Sequence, residues 1–176
     1  MSRFIALLRG VNVGGRKVPM GELRTLFDEL GHTDVRTYIQ SGNVVFDAKG
    51  QPARVRSTIE QALQLAFGFE IAVLLRTPAE LARVAKRNPF GSDAYVTFLE
   101  AAADRKLVGT IDPGTYLPDE FDVDGREVYV RCPNGYGRTK INNTFFERKL
   151  STRATTRNWN TVMLLLEWAT SGTDTG

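Results

Sequence analysis

The stretch Val35-Arg-Thr-Tyr-Ile-Gln-Ser-Gly-Asn-Val-Val-Phe46 decides the fold of this chain. Two short β-rich runs, 35–39 and 44–46, flank Gln40-Ser41-Gly42-Asn43, where Gly and Asn supply the backbone dihedrals that a tight turn needs. The stretch therefore predicts a β-hairpin. A hairpin here argues against a Rossmann unit, because a Rossmann unit would place a helix between the two strands.

The segments on either side of the hairpin complete a βαββαβ order. A strand over 4–8 and an amphipathic helix from Pro19 to Gly31 precede it, and a helix from Pro52 to Gly68 and a strand over 71–75 follow it. This order is that of the ferredoxin-like αβ-plait. The fourth strand of a plait lies at the sheet edge, yet 71–75 is apolar throughout, so we expect both of its faces to be covered.

The second half contains the same kinds of elements. Thr77-Pro-Ala-Glu80 is typical of a helix start, and Asp124-Gly125 predicts a second hairpin. Further predicted elements are a strand over 94–99, a helix capped by Asn142 or Asn143, and a last helix with Trp159, Val162, Met163, Leu166 and Ala169 on one face. We therefore predict an α+β fold of two packed ferredoxin-like subdomains, residues 1–76 and 77–170, followed by a disordered tail over 171–176.

Composition indicates a cytoplasmic protein with neither membrane contact nor a metal. The 42% apolar content suffices for a core, and 24% charged residues are ordinary for a globular chain. The apolar stretch near Met1 has five residues, too few for a secretion signal or a membrane span. The chain has one cysteine, which excludes an intrachain disulfide and argues against a cysteine-based metal cluster.

The formal charge of +3 conceals a segregation. Residues 131–157 carry seven basic side chains against one acidic, a local charge of +6, and residues 99–124 carry seven acidic against two basic, a local charge of −5. Such asymmetry indicates either an anion-binding face or two stretches that neutralise each other within the fold.

Several familiar chemistries are disfavoured by spacing. Gly10 to Gly15 followed by Arg16-Lys17-Val18 resembles a P-loop, but the lysine is displaced by one place and no hydroxyl follows it. His32, the one histidine, follows a helix-ending glycine and is expected in an exposed loop rather than as a catalytic base. Cys132 has no identifiable base beside it. The predicted sheet also lacks the paired aromatics on which an RNA-recognition module stacks bases.

Three polar clusters remain as candidate sites, and no catalytic residue can be assigned. The first follows the first strand and the second forms the hairpin turn; the third is expected at helix starts, where Thr155, Thr156 or Asn158 could cap free amides. In a plait we expect the first two at opposite ends of the sheet. The clusters are Arg9, Asn12, Gly14, Gly15 and Lys17; Gln40, Ser41 and Asn43; and Lys140, Asn142, Asn143, Thr156, Arg157, Asn158 and Trp159.

Leu8-Arg-Gly-Val-Asn-Val-Gly-Gly15, Tyr38-Ile-Gln-Ser-Gly-Asn43 and Thr155-Thr-Arg-Asn-Trp-Asn-Thr161 resemble the signature stretches of a bacterial family, domain of unknown function 1697. The resemblance runs through nearly the whole chain. It implies a two-part α/β fold with ferredoxin-like subdomains. It implies no activity, substrate or cofactor.

The leading hypothesis is a protein that binds a phosphate-bearing ligand, either a nucleotide or a nucleic acid. Arg9, Lys17, Lys140 and Arg157 would supply charge, the asparagines hydrogen bonds, and Trp159 a stacking surface. The alternatives are a transferase-type enzyme in which Lys140 or Arg9 stabilises charge in a closed pocket, and an interaction module without a ligand. The sequence does not indicate an oligomeric state.

Overall fold

The structure, a computed structural model, describes residues 1–171 and divides into two units. Of the described residues, unit 1 comprises 1–82 and 164–171, and unit 2 comprises 83–163. The predicted tail lies outside the described residues except for Ser171. Among residues 1–171, every helix falls short of the length and apolarity that crossing a bilayer requires.

Unit 1 is a ferredoxin-like plait, as the hairpin and its flanking helices predict. Its elements are β1 (Ser2–Leu8), α1 (Met20–Glu29), β2 (Thr33–Tyr38), β3 (Asn43–Ala48), α2 (Pro52–Phe67) and β4 (Val73–Arg76). The strands form one antiparallel sheet in the order β2-β3-β1-β4. The start of α3 (Pro78–Arg87) follows, with the predicted reciprocal cap between Thr77 and Glu80.

The core of unit 1 lies between the sheet and its two helices. Alternate residues of β1 and β3 face α1 and α2, and Phe46 packs edge-on against Phe27 with ring centroids 4.9 Å apart. Burying each such ring contributes about 2 kcal/mol. The edge strand β4 is buried on both faces, as its apolar sequence predicts, since Val73 is 1% exposed and Leu74 is 2% exposed.

Unit 2 repeats the same topology in the order β6-β7-β5-β8. Its elements are β5 (Ala94–Leu99), α4 (Arg105–Val108), β6 (Glu120–Asp124), β7 (Glu127–Arg131), α5 (Asn143–Leu150) and β8 (Ala154–Asn158). Short 3₁₀ turns lie at Gly91–Asp93, Pro113–Tyr116 and Tyr136–Arg138. The prediction of an α+β fold with ferredoxin-like subdomains is confirmed, including the hairpin at Asp124-Gly125.

Two sequence predictions are corrected at the carboxyl-terminal side. Thr155 and Thr156 belong to β8 and are not helix caps; Asn158, the last residue of β8, caps α6 (Trp159–Thr170) through an Oδ1 that accepts from Thr161 N at 2.9 Å. The predicted apolar stripe of α6 is also rotated. Leu165 is buried, whereas Met163 is 42% exposed.

Candidate functional site

The loop between β1 and α1, residues 9–19, is built around Asn12. This residue adopts a φ of +56°, and its side-chain Nδ2 donates to Val18 O at 3.0 Å and to Gln40 O at 2.6 Å. Its Oδ1 accepts from Val18 N at 2.8 Å. Asparagine suits this place because its short amide tolerates the left-handed region and bonds to nearby backbone. Asn12 therefore holds the loop in shape and has little capacity left for a ligand.

The bond from Asn12 to Gln40 overturns the prediction that the first two clusters lie at opposite ends of the sheet. β1 and β2 both run antiparallel to β3, so they run parallel to each other and finish at the same end of the sheet. Leu8 N accordingly donates to Gly42 O at 2.9 Å. The loop after β1 and the turn after β2 thus form one surface.

Within the hairpin turn, the three predicted residues differ in role. Asn43 is fully buried, and its Nδ2 donates to Tyr38 O and to Ser41 Oγ, both at 2.9 Å. These bonds close the turn. Gln40 is exposed and lines a depression beside the loop.

Arg16, which displaces the P-loop lysine, is also used by the fold. Its guanidinium lies 4.5 Å above the centre of the Phe69 ring and donates to Gly10 O at 3.0 Å and Glu70 O at 2.5 Å. A cation over an aromatic face with two carbonyl acceptors is stably placed. Arg16 therefore fixes the loop to the chain before β4 and offers little to a ligand.

The exposed part of the loop is a surface of unoccupied donors. Among residues 1–171, the amides of Val13, Gly14 and Gly15 and the Lys17 ammonium donate no hydrogen bond. Gly15 and Lys17 line a depression of about 510 Å³, together with Val18, Met20 and Gln40. We call this surface, formed by residues 13–15, Lys17, Val18, Met20 and Gln40, the loop site. Arg9, at the start of the loop, is half-buried.

In unit 2, three of the predicted polar residues stabilise the fold. Asn142 caps α5 by accepting from Phe145 N at 3.0 Å. Asn143 Nδ2 donates to Ala154 O, its Oδ1 accepts from the Thr156 hydroxyl at 2.9 Å, and Thr156 lies 2.8 Å from the Thr97 hydroxyl. The network ties α5 to β8 and β5, and a half-buried polar network of this kind stabilises only when its members are paired.

Arg157 does not supply surface charge. It is 5% exposed, and its Nη1 donates to Thr155 Oγ1 at 2.6 Å and to Thr156 O at 3.0 Å. Burial lowers the pKa of its guanidinium to about 10. Lys140, by contrast, is exposed, so it has no closed pocket of the kind that the enzyme alternative required.

Two ion pairs join the segregated charges inside unit 2. Arg153 donates to both carboxylate oxygens of Glu100, at 2.7 and 2.8 Å, and Arg131 donates to Glu120 at 3.2 Å. These pairs join the basic stretch to the acidic one. Part of the charge pattern is therefore neutralised within the fold, whereas Arg138, Lys140 and Arg148 are exposed.

Asn158 and Trp159 lie in unit 2, at a second depression of about 510 Å³. The loop site and this depression are lined by different residues of different units. The structure therefore does not place the three predicted clusters in one pocket: the first two meet in unit 1, and the third is divided between the unit 2 depression and the polar network of α5.

The comparisons with known proteins agree with this architecture. The family described as "Protein of unknown function (DUF1697)" matches residues 1–129 of the chain. The chain belongs to the DUF1697 family. The conserved bacterial protein SP0830 from Streptococcus pneumoniae is 21% identical and superposes with a TM-score of 0.73, covering 96% of this chain and 98% of that one. At that identity the likeness shows the fold alone. None of the curated proteins matches.

The DUF1697 match contains two of the three signature stretches, those of the loop site and its hairpin; the third, at 155–161, follows the matched residues. The family description assigns no reaction.

The residues disfavoured as catalysts keep that status, with one correction. His32 is not an exposed loop residue: its ring lies 5.0 Å from Phe46 and 5.9 Å from Phe27, and burial lowers its pKa. Burial raises the pKa of the Cys132 thiol, which disfavours a nucleophilic thiolate. Within residues 1–171, no group of three His, Cys, Asp or Glu side chains is placed to hold a metal ion.

Sequence reasoning missed Asp93 and Arg131 as neighbours in the unit 2 depression. Arg131 entered only as one charge of the basic stretch, and Asp93 did not enter at all. The usable signal was the hairpin at Asp124-Gly125, which determines where β7 begins, but the pairing of β7 with β5 joins segments far apart in sequence.

Proposed function

We propose that this protein binds a phosphate-bearing ligand, a nucleotide or a nucleic acid, at the loop site of unit 1, and that it does so in the cytoplasm. The observation that supports this most directly is the group of donors without acceptors there, the amides of 13–15 beside the Lys17 ammonium. Phosphate oxygens accept from both kinds of donor, and consecutive amides in a glycine-rich turn are a common phosphate cradle.

The shape of the loop site supports the same proposal. Asn12 and Arg16 hold the loop from within, so the open amides belong to a fixed backbone. Preorganised donors bind anions without having to be ordered first. The adjacent depression of about 510 Å³, which both Lys17 and Gln40 line, has room for the rest of a nucleotide.

From the basic stretch of unit 2, we retain Lys140 and leave out Arg157. Lys140 and its neighbour Arg138 are exposed, whereas the Arg157 guanidinium is buried. Their contribution would be long-range attraction of a polyanion, which a short mononucleotide would feel less than an oligonucleotide.

The test is salt-titrated binding of ATP, pyrophosphate and a short single-stranded oligonucleotide, measured by calorimetry or anisotropy. We expect binding at low ionic strength and a fall in affinity of at least about tenfold for Lys17→Glu. Lys49→Glu is the matched control, because Lys49 is an exposed lysine of the same unit that follows β3 at the opposite end of the sheet.

Two results would overturn the proposal. One is the absence of binding by all three probes at about 20 mM salt, where surface charges are weakly screened. The other is equal affinity of Lys17→Glu and Lys49→Glu. A steep salt dependence for the oligonucleotide that Lys140→Glu reduces would identify nucleic acid as the ligand, and tight ATP binding with a shallow slope would identify a nucleotide.

A further inference from the structure

We propose that the depression in unit 2 is a second, independent site, which binds a small zwitterion of the amino-acid class. It lies at one end of the sheet, where β5 begins and its two neighbouring strands, β7 and β8, end. Ala94, the first residue of β5, pairs with Arg131 at the end of β7, and Tyr95 pairs with Asn158 at the end of β8. Asp93 precedes Ala94 directly, and Trp159 follows Asn158, so all these residues border one hollow.

Two opposite charges border this hollow without neutralising each other. Arg131 donates through Nη1 to Glu120 at 3.2 Å, a single bond that leaves other guanidinium donors available. Asp93 is exposed, and among residues 1–171 its carboxylate accepts no hydrogen bond. A ligand with both an ammonium and a carboxylate would match both charges at once.

The remaining wall is aromatic and neutral. Trp159 and Tyr95 are half-buried, and the Tyr95 ring is held by stacking on Tyr136 with centroids 4.6 Å apart. Asn158 Oδ1 accepts the capping hydrogen bond of α6, and this bond fixes the side chain that carries Nδ2. An aromatic surface beside two charges suits the side chain of an amino acid better than it suits a bare ion.

The charge balance separates this site from the loop site. A phosphate group carries close to two negative charges, and the Asp93 carboxylate would repel it. A cation alone would face the Arg131 guanidinium. The hollow of about 510 Å³ falls within the size range of small-molecule sites, about 300–1,000 Å³.

The experiment uses Trp159 as a reporter. In a Trp168→Phe background Trp159 is the chain's remaining tryptophan, so its emission reports occupancy of the hollow. The probes are the free L-amino acids other than Trp and Tyr, followed, for the best binder, by its deaminated acid and its decarboxylated amine. Calorimetry on the unsubstituted protein gives affinities that do not depend on fluorescence.

We expect at least one amino acid to change the emission saturably and each one-charge analogue to bind at least about tenfold more weakly. Asp93→Asn should remove the preference over the acid, and Arg131→Gln the preference over the amine. Asp122→Asn and Arg148→Gln, exposed charges of unit 2 outside the hollow, are the matched controls.

The inference is overturned if no amino acid binds below about 10 mM by either method. It is also overturned if binding is seen by calorimetry without a Trp159 response, or if an analogue binds as tightly as the zwitterion. None of these results depends on phosphate binding in unit 1.

Discussion

In both units, the first strand of the sheet ends against the residues that precede the third and fourth strands. Leu8 N donates to Gly42 O at 2.9 Å and Arg9 N to Ala72 O at 2.9 Å in unit 1. In unit 2, Leu99 N donates to Arg126 O at 2.8 Å and Glu100 N to Arg153 O at 2.9 Å. We call each set of four residues the corner of its unit.

The two corners share the same pattern of backbone hydrogen bonds but carry different side chains. In unit 2, Glu100 and Arg153 form a two-fold charged hydrogen bond at the corner, and a short segment leads into α4. In unit 1 the matching positions hold Arg9 and Ala72, and a longer glycine-rich loop follows, with Lys17 exposed. A repeated fold can thus form an ion pair at one corner and carry a loop with open donors, those of residues 13–15 and Lys17, after the other corner, because the fold does not determine the site.

The largest effect is expected from Gly42→Ala in the unit 1 corner. Gly42 has a φ of +82°, and a Cβ there would lie 2.8 Å from both Leu8 Cβ and Val11 Cγ2. Strain and overpacking together should lower the free energy of unfolding by about 3 kcal/mol in urea denaturation. In unit 2, Gly125→Ala is the control: its φ is +60°, but no atom lies within 4 Å, so about 1 kcal/mol is expected. Equal losses would show that the close approach costs nothing.

Asn12→Ala tests whether the unit 1 loop is held from within. The substitution removes three hydrogen bonds and should cost about 2 kcal/mol in the free energy of unfolding. Pyrophosphate binding should weaken with it, because the open amides lose their fixed positions. Asp104→Ala, which removes the cap of the equivalent short helix in unit 2, should cost about 1 kcal/mol and leave pyrophosphate binding unchanged. Unchanged binding by Asn12→Ala would contradict a preorganised loop.

A smaller effect is expected on acidification, and it should be confined to unit 1. Burial lowers the pKa of His32, and its Nε2 has no hydrogen-bond partner in the described chain. The unfolded chain therefore binds a proton near pH 6.5 that the folded chain does not, so stability is lost as pH falls from 6.5 toward the lower folded value. His32→Phe keeps a ring beside Phe46 and should flatten urea stability between about pH 7 and 5. A variant with the original slope would exclude His32 as the cause.

The smallest effect is expected when the unit 2 corner is opened. Arg153→Gln leaves Glu100 without its two-fold partner, but both side chains are partly exposed, at 43% and 23%. The loss should be under about 1 kcal/mol and should shrink as sodium chloride is added. Urea denaturation at two salt concentrations measures it. A loss as large as that of Gly42→Ala would mean that the ion pair, and not the shared backbone, maintains the corner.

The sequence predicted unit 1 element by element, because its turns and helix ends carry strong local signals. Unit 2 was harder at β8, where Ala154-Thr-Thr-Arg-Asn158 resembles cap residues more than a strand. Its polar side chains are buried by pairing across the sheet, as Thr156 with Thr97, and apolar periodicity does not record such pairs.

The parts of the candidate site that are adjacent in sequence were predictable, and the parts that strand order brings together were not. A loop before a helix is predicted by three residues that lie close together in sequence, Gly14, Gly15 and Lys17. The meeting of that loop with Gln40 was predicted wrongly, although it follows from β1 and β2 lying on either side of β3. The proximity of Asp93 and Arg131 depends on strand register across 38 positions, which no local pattern contains.

Arg3 connects the two ends of the chain, since it donates to Asp47 and also to the backbone oxygens of Trp168 and Ser171. The Trp168 ring in turn meets Tyr38 edge-on at 5.8 Å. During synthesis, the plait of residues 1–76 would therefore lack these contacts until residues 168–171 have been made, whereas the plait of residues 83–163 has all its residues sooner. A truncation before Trp168 should thus harm the unit whose strands are synthesised first.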